Sequence, residues 1–430
     1  MTAVVGILNK QAVAIAADSA VTITGTNGKK ILNKANKVFT LSKYHPVGVM
    51  IYNSASFMTT PWETIIKVYR KQLGNTSFPT LKEYQENFIS FLRLKHFFTN
   101  SEEEKLLLFN FIQTVINTVR NEVINANKSL HDTPTEENKQ QLLSLIESKT
   151  DAYINQFGTT HNYCIDFENY SFEEFEPVIE DFFQIIINSS YTELGYTITI
   201  DLHNKFKQLA HVFLKTKENL TNYTGLIFTG FGEDEIFPSL IPVDISFAIG
   251  DKLRYYIEED RAANISTANN GAICPFAQTD VIDTILRGID PSLDNTYLNN
   301  FGSLFSKYNQ EILNIIGDTN PILTAQIQAL DIQAIVNEYA KMNQQIKQEN
   351  YISPLMNAVS SLAKEDLAEM AESLIYLTYL KRRITFAEES VGGPVDVAII
   401  SKGDGFVWIK RKHYFNPELN QHFFDNYFNT

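Results

Sequence analysis

Residues 2–19 read TAVVGILNKQAVAIAADS. Two short apolar runs, 3–8 and 12–17, flank the polar triplet Asn9-Lys10-Gln11. Neither run alternates apolar with polar, so each reads as a strand covered on both faces, and the triplet reads as the turn between them. Moving outward, Val21-Thr22-Ile23-Thr24 and the Thr26-Asn27-Gly28-Lys29 stretch predict a strand and a hairpin, because Asn-Gly suits a tight turn. Strands are also expected at 37–41 and 47–52. From Pro61 the pattern turns helical and stays so, with breaks, to about residue 215. Ser101-Glu102-Glu103-Glu104 and Thr135-Glu136-Glu137 both look like helix starts, with a capping hydroxyl and an acidic first turn. Strands return over 224–260, helices fill most of 276–385, and the chain ends in strands at 394–400 and 406–409. Strands in blocks with helices in blocks between them predict an α+β fold rather than alternating βαβ units.

The chain has 430 residues and a formal charge of −14. Phosphate binding needs a basic face, so this balance argues against nucleic acid and against an anionic membrane surface as partners. The only two cysteines, Cys164 and Cys274, cannot frame a chain of this size with disulfides. No signal peptide is expected at Met1-Thr2-Ala3, and no apolar run reaches the ~18 residues of a membrane span. The expectation is a cytoplasmic protein. His161 and Cys164 have ligand-like spacing but lack a second pair, so no metal and no other cofactor is expected. The aromatic tail 423–428 is expected to dock on the chain's own body or on a neighbouring subunit.

Thr2 is small enough for Met1 to be removed, which would leave a threonine at the N-terminus. Such a residue carries a hydroxyl and an α-amine of pKa ~7.7–8. The amine can serve as general base for the hydroxyl beside it. A cation is needed to keep the amine from holding its proton too tightly, and N–H donors are needed for the developing oxyanion. Asp18, at the end of the second apolar run, and Lys37, at the start of the third clear strand, are candidates for orienting and supplying that cation.

Three stretches, Thr2-Ala-Val-Val-Gly-Ile, Ala-Ile-Ala-Ala-Asp18-Ser-Ala-Val-Thr and Asn-Lys-Ala-Asn-Lys37-Val-Phe-Thr-Leu, resemble the proteasome β subunits and their bacterial relative, the ring peptidase that works with a hexameric unfoldase. Glu388-Glu389-Ser390-Val391-Gly392-Gly393-Pro394, the strand after it and the Lys402-Gly-Asp-Gly turn resemble that family's last block and hairpin. The resemblance implies an N-terminal nucleophile (Ntn) hydrolase: α+β, a four-layer αββα sandwich forming one domain over 1–430, with large helical insertions at about 58–220 and 288–385.

It implies Thr2 as nucleophile, Asp18 as the residue that orients the lysine, and Lys37 as that lysine, with Lys34 the alternative. It places the oxyanion N–H near Asn53 and an apolar specificity pocket at Val21, Ile51 and Ala55. Glu388 takes the place of the supporting aspartate, Val391 stands where the family has a second serine, and Ser390 is the candidate to replace that serine with a one-residue shift. Ala272 is aligned with the serine beside the nucleophile's amine. The implied function is peptide-bond hydrolysis on a peptide or protein substrate by a homo-oligomeric ring, and the family admits an ATPase unfoldase as partner. Two alternatives stay open: a non-catalytic scaffold subunit, and an amidase acting on a small-molecule amide.

Overall fold

The computed structural model describes residues 2–25, 28–32, 34–94, 101–159, 162–218, 222–316, 320–385, 391–413 and 415–422. Met1, the Thr26-Asn27 turn, His161, Glu388, Ser390 and the aromatic tail lie outside the described residues.

The early strands are β1 (Ala3–Asn9), β2 (Ala12–Ala17), β3 (Val21–Gly25), β4 (Gly28–Leu32), β5 (Val38–Thr40) and β6 (Val47–Asn53), with two-residue strands β7 (Ser56–Phe57) and β8 (Thr60–Pro61). Among the described residues the α-helices that follow are α1 (Trp62–Leu73), α2 (Leu81–Leu94), α3 (Ser101–Ala126), α4 (Lys128–Asp132), α5 (Glu136–Gly158), α6 (Phe172–Ser190) and α7 (Ile200–Lys215). Strands resume as β9 (Thr224–Gly230), β10 (Ser239–Ile249), β11 (Lys252–Ile257), β12 (Ala263–Asn264) and β13 (Gly271–Ala277). The second helical block is α8 (Asp280–Arg287), α9 (Pro291–Ile316), α10 (Pro321–Gln328), α11 (Ile332–Lys347), α12 (Ser353–Ser361) and α13 (Lys364–Ile384), before β14 (Asp396–Ser401) and β15 (Gly405–Lys410). The class is α+β with antiparallel sheets.

The chain divides into two compact units. The first comprises Met1–Val38, Ile236–Ser239 and Ala263–Thr430. Its sheet has the order β13-β1-β2-β14-β15. Ala3, Val5 and Ile7 of β1 and Ala12, Ala14 and Ala16 of β2 share one face, because side chains alternate along a strand. Val359, Leu367, Ala371, Leu374 and Ile375 from α12 and α13 cover that face. The opposite face is buried as well, which accounts for runs that are apolar without alternation.

The structure departs from the sequence reading at 271–277. Helices are expected from about residue 276, yet Phe276 and Ala277 belong to β13, as does Pro275. A proline cannot donate to a ladder, so it is tolerated there because β13 is the edge strand of its sheet. The helix begins at Asp280 instead.

The second unit comprises Phe39–Glu235 and Leu240–Ala262. Its sheet has the order β11-β10-β9-β6-β5. Trp62, Ile65, Tyr69, Tyr84 and Phe88 of α1 and α2 pack on Val49, Ile51, Leu226, Phe228 and Val243 of the sheet. A separate core joins α3, α5, α6 and α7 to Phe247 and Tyr256. Thr135 caps α5 by accepting from the Asn138 N–H, and Ser171 with Glu174 forms a reciprocal capping box on α6. Among the described residues no helix is long and apolar enough to cross a membrane.

Candidate active site

Strands β1 and β2 end side by side, and Thr2 and Asp18 extend the ladder at that end. Asp18 N–H donates to Ala3 O at 3.1 Å. The Asp18 carboxylate then collects four donors. Oδ1 accepts from Ala3 N–H at 2.9 Å and from Lys37 Nζ at 2.7 Å. Oδ2 accepts from Ala20 N–H and from Gly392 N–H, each at 3.0 Å. A buried carboxylate needs this degree of satisfaction, since an unpaired one costs several kcal/mol.

Lys37 is placed by the loop before β5. Ala35 N–H donates to Ser19 O at 3.0 Å and lays the 34–37 stretch along the Asp18-Ser19 turn. Lys37 Nζ then donates to Asp18 Oδ1 and, at 2.5 Å, to Ala20 O. Lys37 is 3% exposed and Asp18 1%. Burial pushes the Lys37 ammonium below the usual lysine range. Attraction from Asp18 opposes this without cancelling it, and Lys412 adds a smaller repulsion. Lys34 is exposed, so Lys37 is the lysine on Asp18.

The C-terminal stretch meets this turn from the other side. Ser19 N–H donates to Gly392 O at 3.0 Å, Ser19 Oγ donates to Pro394 O, and Gly392 N–H donates to Asp18. Gly393 carries φ +77, a left-handed conformation that suits glycine, and Val391 is buried beside it. The two stretches that carry the family resemblance thus touch, although 374 positions separate Asp18 from Gly392.

Thr2 itself is 2% exposed, and its carbonyl accepts from Gln278 N–H at 3.2 Å. That contact corrects the alignment of Ala272. The β1–β13 register pairs Ala3 with Ala277 and Leu8 with Ala272. Ala272 therefore lies about 17 Å along the strand from the Thr2 end. Ala277, with φ +66, and the buried Gln278 occupy the place beside Thr2.

Gln278 Oε1 accepts from Arg382 Nε at 2.6 Å, and Arg382 also pairs with Asp280. Lys381 reaches the same Asp280 at 3.0 Å and Asp290 at 3.2 Å. The basic last turn of α13 thereby grips the acidic first turn of α8 and holds Gln278 between them. Gln278 is the residue that sequence reasoning missed. Its signal is an apolar run, 271–277, directly ahead of an acidic helix start.

The remaining expected residues are dispersed between the units. Val21 opens β3 in the first unit and is half-buried. Asn53, Ile51 and Ala55 belong to the second unit. Ile51 is in that unit's core, Ala55 is exposed, and Asn53 ends β6 with φ +63, a left-handed conformation that asparagine tolerates. The roles of Asn53, Ile51 and Ala55 are expectations drawn from the resemblance. Among the described residues no group of three or more His, Cys, Asp or Glu side chains could hold a metal ion.

Chemically, the assembled part is a threonine backbone, a saturated carboxylate and a buried lysine with a lowered proton affinity, all on one sheet end. No family model, curated protein or solved structure matches this chain.

Proposed function

We propose that the chain is an N-terminal threonine hydrolase of the proteasome-like class, built on the four-layer αββα sandwich that the resemblance implies. One observation carries the reading: a single buried carboxylate oxygen of Asp18 holds both the N–H that follows Thr2 and the Lys37 ammonium.

After loss of Met1, the Thr2 amine would take the proton of its own hydroxyl, directly or through a water. The Thr2 Oγ1 would attack the peptide carbonyl carbon, and the carbonyl π pair would move to oxygen. Collapse of the tetrahedral intermediate would break the C–N bond, with the proton passing from the Thr2 ammonium to the leaving amine. Water would then split the ester and return the hydroxyl. Lys37 would keep the Thr2 amine neutral by like-charge repulsion, and Asp18 would hold Lys37 in place. A homo-oligomeric ring, a peptide or protein substrate and an ATPase unfoldase belong to the same proposal.

The second reading is a non-catalytic subunit. Gln278 favours it, because a bulky amide held by Arg382 stands where the family has a serine.

An intact-mass measurement with and without a peptidyl epoxyketone separates the readings. That warhead needs a free N-terminal amine and the adjacent hydroxyl to close its ring. The hydrolase reading expects loss of Met1 and one stoichiometric adduct that Thr2→Ala abolishes. Retained Met1, or a processed chain without adduct, would sink the peptidase reading. The second outcome with turnover of a small amide would move the assignment to an amidase.

A further inference from the structure

The 26 residues of α9 include none that is buried, and α10 has none either. In α11 only Val336 and Lys347 are buried. Yet this segment is not polar. Leu293, Tyr297, Leu304, Tyr308 and Ile315 of α9 are between 44% and 84% exposed. At 100° per residue these five fall within about 60° of arc along roughly 33 Å of helix. On α11, Ile335, Tyr339, Met342 and Ile346 are between 38% and 58% exposed. Their spacing also confines them to about 60°.

The two stripes form one surface. α9 and α11 run antiparallel, since Asn343 and Lys347 near the end of α11 both bind Asp294 near the start of α9. Phe301 of α9, about 20° beyond the edge of its stripe, stacks on Tyr339 of the α11 stripe with centroids 4.3 Å apart and planes at 22°. That stack joins the stripes side by side.

We infer that this joined stripe is a homotypic interface, and that it binds the same stripe of a second copy of this chain. Two features specify the occupant. The nine side chains expose on the order of 900 Å², taking about 150–250 Å² for each free large side chain, which exceeds the 300–600 Å² of the largest patch on a typical monomer and matches the ~800 Å² per partner of a stable interface. The patch is also nearly neutral in a chain of charge −14. Between Tyr297 and Ile315 the only charges are Lys307 and Glu311, and between Ile335 and Ile346 the only ones are Glu338 and Lys341. Two copies of an acidic chain therefore meet there without like-charge repulsion, and a two-fold axis lets one self-complementary patch serve both. The inference adds a specific two-fold face to the proposed homo-oligomer, and it rests on neither Thr2 nor Lys37.

The test is sedimentation of the full chain at micromolar concentration, compared with the double variant Leu304→Glu/Tyr308→Glu and with Ile236→Glu, an exposed apolar position outside the patch. The expected result is self-association of the wild type, a dissociation constant raised about 100-fold or more in the double variant, and no change in Ile236→Glu. Should the double variant not fold, hydrogen exchange of the wild type over a dilution series decides. Protection along α9 and α11 is expected to fall as the mass falls, while that of β1 stays constant. A wild type that is monomeric throughout, a folded double variant that associates unchanged, or α9 and α11 protection that ignores dilution would each overturn the inference.

Discussion

Lys37 Nζ lies 2.7 Å from Asp18 Oδ1, and the same oxygen accepts the Ala3 N–H, so the residue after Thr2 and the Lys37 cation share one anchor. Asp18→Asn tests that anchor. An amide has one accepting oxygen and presents its NH2 to donors that the carboxylate satisfied. The loss expected is about 3–5 kcal/mol of stability, read from urea unfolding. A change below about 1 kcal/mol would contradict the four-donor geometry.

Lys37 predicts a pH effect with a definite sign. Its folded value is lowered by burial from the ordinary 10.5, so the unfolded chain binds more protons between the two values. Stability attributable to Lys37 is therefore lowest below the folded value and rises with pH toward about 10.5. Lys37→Met should remove that rise, measured as the difference in urea midpoints between about pH 8 and pH 10. Parallel slopes in the two proteins would refute it.

Ala277 is exposed with φ +66, directly opposite Ala3. A left-handed alanine costs about 1–2 kcal/mol, partly offset in glycine by the entropy of its unfolded chain. Ala277→Gly should raise the melting temperature, by about 0.5–1 kcal/mol in stability. Destabilisation would mean that this position beside Thr2 is not left-handed in solution.

In the second unit Asp244 accepts from Tyr52 Oη at 2.9 Å and from Tyr256 Oη at 3.1 Å, yet burial pushes its carboxyl up to about 6 from 3.8. The folded state then binds more protons than the unfolded one between those values. Stability should fall as pH rises through that window, by at most about 3 kcal/mol. Asp244→Asn should flatten that slope. A wild-type stability that climbs from about pH 4 to 6 by as much as in the variant would count against it.

Arg254 is buried, and its guanidinium donates to Leu214 O, Phe213 O, Thr216 O and Glu218 O, closing the C-terminal end of α7. Arg254→Lys supplies a charge without the planar fork and leaves carbonyls unmet. The expected cost is about 3–5 kcal/mol by thermal or urea unfolding. A near-neutral result would show that water takes over those carbonyls.

Much of this was written in local sequence. The runs 3–8 and 12–17 hold no polar side chain to mark a wet face, and β1 and β2 are buried along their length. Thr135 announces α5 because its hydroxyl meets an orphan N–H three residues on, which needs no distant partner. The candidacy of Asp18 and Lys37 was legible for the same reason: each ends or begins an apolar strand.

Tertiary structure alone decided the rest. The sequence favours Lys37 with Lys34 as the alternative, and the docking of Ala35 on Ser19 is what puts Lys37 on Asp18. The neighbour of Thr2 is Gln278 rather than Ala272 because strand register is set by pairing across some 270 positions, and a shift moves every residue along the ladder. An apolar period on α9 says that one helix face avoids water; it does not say what covers that face, since burial free energy depends on area and carries no address.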